Sequence, residues 1–109
     1  KKFFAEMALE CRENPITEKR IERQIVIAFG KELAFVSLPA EPFVELGIAI
    51  RKESRYPMTV LAALGMGEVG YVGLPNNYGN GGYETSPSRG LADRTVGDAM
   101  IQGALELLK

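Results

Sequence analysis

Apolar residues fall at helical spacing near both ends of the chain and in short, nearly continuous runs between them. Over residues 2–13, Phe4, Met7, Ala8 and Cys11 recur three and four apart, which gathers them on one face of a helix that Asn14-Pro15 then stops. From Ile21 the texture changes to IERQIVIAFGKELAFVSLP, two β-rich runs around Gly30-Lys31-Glu32, and this predicts a hairpin. The second run, LAFVSL, is apolar on both faces apart from Ser37, so it is expected in the interior of a sheet.

Pro42 suits the first turn of a helix, where its missing N–H would be unpaired anyway. Phe43, Leu46, Gly47 and Ile50 supply an apolar stripe, RKES closes it with charge, and Tyr56-Pro57 breaks it. MTVLAAL is a second long apolar run, followed by the turn Gly65-Met66-Gly67 and a shorter strand in EVGYV. Strand, helix and strand in this order predict a βαβ unit with parallel long strands and a right-handed crossover. LPNNYGNGGYETSPSRG is too rich in turn residues for regular structure, and its tyrosines predict a loop packed down on something. A last helix carries Val96, Met100, Ala104 and Leu107 as its buried stripe, with Lys109 at its negative end. The fold class is α/β, with α+β as the alternative: a mixed sheet with a β-hairpin, a βαβ unit and a C-terminal helix. Residues 1–109 form a single domain or the C-terminal portion of a larger one.

Composition narrows the function more by exclusion than by suggestion. With 46% hydrophobic and 25% charged residues and a net charge of -1, the chain gives no electrostatic reason to expect nucleic acid or an anionic membrane. The basic cluster TEKRIERQ is interrupted by Glu18 and Glu22 and reads as a solvated surface. Cys11 is the single cysteine, so no internal disulfide forms; Ala8 and Leu9 beside it suggest a small buried hydrophobe. No apolar run approaches the roughly 20 residues of a membrane-spanning helix. The chain begins KKFF without a methionine, which predicts either processing or a longer polypeptide.

Two stretches carry candidate chemistry. Glu41, in LPAEPF, falls where a central strand ends and a helix begins, the place where open α/β sheets bind ligands. A helix-capping role for Glu41 remains open beside that reading. In GYVGLPNNYGNGGYE, Tyr71 lies near a strand end while Tyr78 and Tyr83 bracket a glycine run; a loop merely pinned by tyrosine packing is the alternative. The glycines fit a phosphate loop poorly, because GNGG lacks both the Lys-Ser/Thr pair and the strand-then-helix context.

Taken in order, LPAEPFVELG, a helix and apolar strand, and GYVGLPNNY…GGYE resemble the C-terminal end of the catalytic domain of the neutral/alkaline (non-lysosomal) ceramidases and their bacterial relatives. The family's first segment reads PGE, and its strand tyrosine is followed by others seven and twelve residues on, intervals that Tyr71, Tyr78 and Tyr83 keep. The resemblance covers about Leu38 to Glu84. It implies a zinc amidohydrolase acting on an N-acyl, lipid-like amide, with Glu41 and Tyr71 as metal ligands and Tyr83 as a catalytic residue beside the scissile amide. It also implies two histidine ligands upstream. This chain has no histidine, so the resemblance makes its partner a missing N-terminal portion of the same protein and the isolated chain inactive. Ala40 stands where the family has glycine. Exposed core surface would favour homo-oligomers, and a secreted or periplasmic location goes with the resemblance alone. The other readings are a domain on this scaffold that has lost the metal, acting as a ligand-binding or structural module, and an unrelated α/β ligand-binding domain.

Overall fold

The computed structural model describes residues 2–15, 17, 19–86 and 93–109. Its elements are α1 (Lys2–Glu13), β1 (Val26–Phe29), β2 (Leu33–Leu38), β3 (Glu41–Pro42), α2 (Val44–Glu53), β4 (Met58–Ala63), β5 (Tyr71–Val72) and α3 (Val96–Leu107), with a 3₁₀ turn at Pro75–Asn77. The architecture is the expected mixture of helices and strands. β1 and β2 form the antiparallel hairpin, turning at Gly30 with φ +59, a backbone conformation glycine adopts without the Cβ penalty. β2 pairs in parallel with β4 across α2, which is the βαβ unit, and the sheet order β1-β2-β4 makes LAFVSL the central strand.

Alternation along β2 divides the sheet into two unlike faces. Ala34, Val36 and Leu38 are fully buried and meet Leu46 and Ile50 of α2 and Met100, Ile101 and Ala104 of α3 in one core. Fully burying a side chain of the Val or Leu class contributes about 1.5–3 kcal/mol, so this face holds the domain together. Helix α3 comes close enough that a Cβ on Gly97 would meet the backbone carbonyl of Gly73. On the opposite face Ile27, Phe35 and Val60 stand in register, next to Phe29, Leu33 and Met58. There Ile27, Phe29, Phe35 and Met58 are exposed.

Several expectations are corrected. Pro42 belongs to β3, and α2 starts two residues later at Val44. Its N–H is still not missed, because the flanking N–H groups of Glu41 and Phe43 carry the pairing with Gly70 and Val72 carbonyls. In α3 the buried residues are Gly97, Met100, Ile101 and Ala104, with Leu108 buried at its C-cap, while Val96 is half-buried and Leu107 is 50% exposed, so the inward face lies one residue on from the expected stripe at both ends. The strand in EVGYV shortens to Tyr71–Val72. In α1 no described side chain is buried; Cys11 is half-buried, and the side chain of Phe4 lies outside the described set. No helix among the described residues is long and apolar enough to cross a membrane.

Candidate functional site

Strand β3 follows β2 after a two-residue bend and β5 follows β4 after residues 64–70, and the two pair in parallel as a separate two-stranded sheet. The segment between β2 and β3 is gripped from both sides. Leu38, Pro39 and Ala40 carbonyls accept from the N–H groups of Gly65, Val69 and Leu64, while the Glu41 N–H donates to Gly70 and the Phe43 N–H to Val72. Ala40 is fully buried, and the non-glycine residues with positive φ among those described are Leu64 and Met66. Ala40 therefore sits in ordinary backbone space, and alanine in place of glycine there leaves the geometry intact.

Glu41 and Tyr71 are register partners across β3 and β5, so their side chains leave the ladder on the same face. Both line an open cleft of about 620 Å³ with Pro42, Phe43, Ala63, Leu64 and Glu84. This is the C-terminal end of the parallel strands, where α/β sheets leave room for ligands. The Tyr71 pKa is raised above the usual phenol value, first by hydrogen bonding of the neutral phenol to Glu41, then by desolvation and by the charges of Glu41, Tyr83 and Glu84. Tyr83 stands edge-on to Tyr71, ring centroids 6.0 Å apart, and is 46% exposed.

Glu41 does not cap α2. The N-cap position is Phe43, without a side-chain cap hydrogen bond, and the acidic residue of the first turn is Glu45. The alternative capping role for Glu41 is thereby overturned: the short strand β3 holds it outside the helix. Tyr78, by contrast, is a pin. Its hydroxyl accepts from the buried Gly73 N–H at 3.1 Å, and the Arg94 guanidinium lies 5.6 Å from its ring centre. Asn77 fastens the same loop to α2, accepting from the Leu74 N–H at 2.7 Å and donating to Glu45 Oε1 at 3.0 Å. Residues 87–90 of the expected loop lie outside the described set.

The structure thus brings Glu41, Tyr71 and Tyr83 together and adds cleft residues that sequence reasoning passed over, Ala63, Leu64 and Glu84. Glu84 was legible only as the neighbour of Tyr83. Leu64 carried no signal, since a leucine after an apolar strand reads as its last residue. Toward a zinc site, Glu41 and Tyr71 would supply one carboxylate and one phenolic oxygen from a shared face. They do not complete one: the chain has no histidine, and among the described residues no group of three or more His, Cys, Asp or Glu side chains is placed to hold a metal ion. Compared with protein-family models, with curated proteins and with solved structures, the chain matches none.

Proposed function

We propose that this chain is the C-terminal part of a zinc-dependent amidohydrolase resembling the neutral/alkaline ceramidases, and that it hydrolyses an N-acyl, lipid-like amide once joined to the rest of its polypeptide. The observation that carries the reading is the register pairing of Glu41 with Tyr71 in the lining of one cleft. Glu41 would give a carboxylate oxygen to the metal and Tyr71 a phenolic one, with two histidines contributed from outside these residues. Bound zinc supplies acidified water and a polarised amide carbonyl.

The chain's own groups supply position and proton control. Glu41 raises the Tyr71 pKa, and a cation bound beside the two oxygens would lower it again and favour the phenolate. Tyr83, edge-on to Tyr71 and partly exposed, would donate its hydroxyl proton to an oxygen of the bound amide. The apolar sheet face of Ile27, Phe29, Phe35 and Met58 is where the remainder of the protein packs in this reading, since parallel strands are usually covered on both sides. In the isolated chain that face would promote self-association.

One observation favours a second reading, a non-catalytic ligand-binding or structural domain on the same scaffold. The Tyr71 phenol pairs with the Glu41 carboxylate, an arrangement that a binding or structural module can also use. Release of free fatty acid from N-acyl amides by the full-length protein, abolished by a chelator and restored by zinc, separates the two. Inactivity of zinc-loaded full-length protein on every such amide would leave the second.

A further inference from the structure

The cleft that Glu41 and Tyr71 line also contains a leucine, Leu64, whose backbone is unusual for its residue type. Leu64 has φ +56, a conformation that L-residues other than Asn, Asp and Gly rarely adopt because Cβ crowds the backbone. Apolar burial does not offset this, because Leu64 is 51% exposed. Met66, two residues on in the same turn, repeats the combination with φ +71 and 58% exposure. An Asn or Gly at either place would turn the chain without strain. The turn is also held firmly: the Leu64 N–H donates to Ala40 O at 3.0 Å and the Gly65 N–H to Leu38 O at 3.2 Å, the same segment that delivers Glu41. A residue kept in a disfavoured conformation with its apolar side chain in a cleft points to use of that side chain by a ligand.

We propose that Leu64 is a specificity-determining residue whose side chain supports the aliphatic chain of the ligand whose polar group sits at Glu41 and Tyr71. Phe43 and Pro42 line the same cleft and add apolar surface, while the carboxylates of Glu41 and Glu84 disfavour an anionic head. The fitting ligand is therefore an uncharged amide with an alkyl chain. This rests on the proposed amide chemistry for the identity of the head group, and on the turn geometry alone for the chain.

The test uses the full-length protein with N-octanoylethanolamine and N-acetylethanolamine as probes, binding read by calorimetry and hydrolysis by released ethanolamine. The expected wild-type behaviour is tighter binding of the octanoyl probe. Leu64→Asn, which tolerates the left-handed backbone, lowers that chain-length preference about tenfold, as losing an apolar contact in a pocket does, and leaves the melting temperature unchanged or raised. Leu64→Gly gives the same loss of preference. An unchanged octanoyl-to-acetyl ratio in both variants overturns the inference, and so does a marked fall in melting temperature of Leu64→Asn, which would make Leu64 a packing residue. Absence of hydrolysis with a Leu64-dependent preference intact defeats the amidohydrolase reading and leaves this one standing.

Discussion

Glu41 and Tyr71 stand opposite each other in a parallel ladder, and the carboxylate raises the pKa of the phenol it faces. Both side chains line one cleft, so the ladder brings an acid and a phenol to a shared open space.

The coupling has a definite sign. Because the Tyr71 pKa is raised on folding, chiefly through its hydrogen bond with Glu41, the neutral phenol adds stability below the ordinary value of about 10, and that contribution is lost as pH rises through the raised one. In metal-free protein, the ultraviolet phenolate signal that disappears in Tyr71→Phe is expected to titrate above the ordinary range. Glu41→Gln is expected to move it downward; a Tyr71 signal indifferent to that change would show that the two groups do not interact.

Tyr78 and Tyr83 are expected to separate into a structural and a functional tyrosine. Tyr78→Phe leaves the buried Gly73 N–H without its acceptor, a loss of about 1–3 kcal/mol measurable by urea denaturation. Tyr83→Phe keeps the ring that meets Tyr71 and alters a 46% exposed side chain, so its stability loss should be smaller than that of Tyr78→Phe. Hydrolysis by the full-length protein should nevertheless fall about 10²–10³-fold, the usual effect of removing one oxyanion donor.

Helix α3 depends on its close approach to the loop after β5. Gly97→Ala would push a methyl group against the Gly73 carbonyl, and backbone cannot step aside as a side chain can. A net loss of about 1–3 kcal/mol is expected, despite the gain of up to about 1 kcal/mol that alanine brings to a helix interior. Gly47→Ala is the control: its methyl meets only Leu61 Cδ1, the tip of a movable side chain. Equal thermal stability of the two variants would contradict this account of the packing.

Much of the architecture was legible because burial imposes periodicity. LAFVSL announced a central strand, and Leu46, Gly47 and Ile50 announced the inner face of α2. What escaped was set by tertiary contacts that periodicity does not encode. The grip of residues 64–70 on residues 38–41 draws Glu41-Pro42 into a strand, so a proline with helix-opening character ends up before the helix. Leu107 and Leu108 are indistinguishable by composition, and only the angle at which α3 meets the core selects the second, 2% exposed. At the site, Glu41, Tyr71 and Tyr83 could be picked out from their order and spacing. Leu64 could not, since its left-handed backbone leaves no mark in a leucine codon's neighbours.

The central claim is that Glu41 and Tyr71 face one cation, and zinc content tests it most directly. Full-length protein is expected to carry about one zinc per chain by atomic emission after dialysis. Glu41→Gln and Tyr71→Phe, each folded by circular dichroism, are expected to lose most of it. Wild-type zinc content in both variants would contradict the claim.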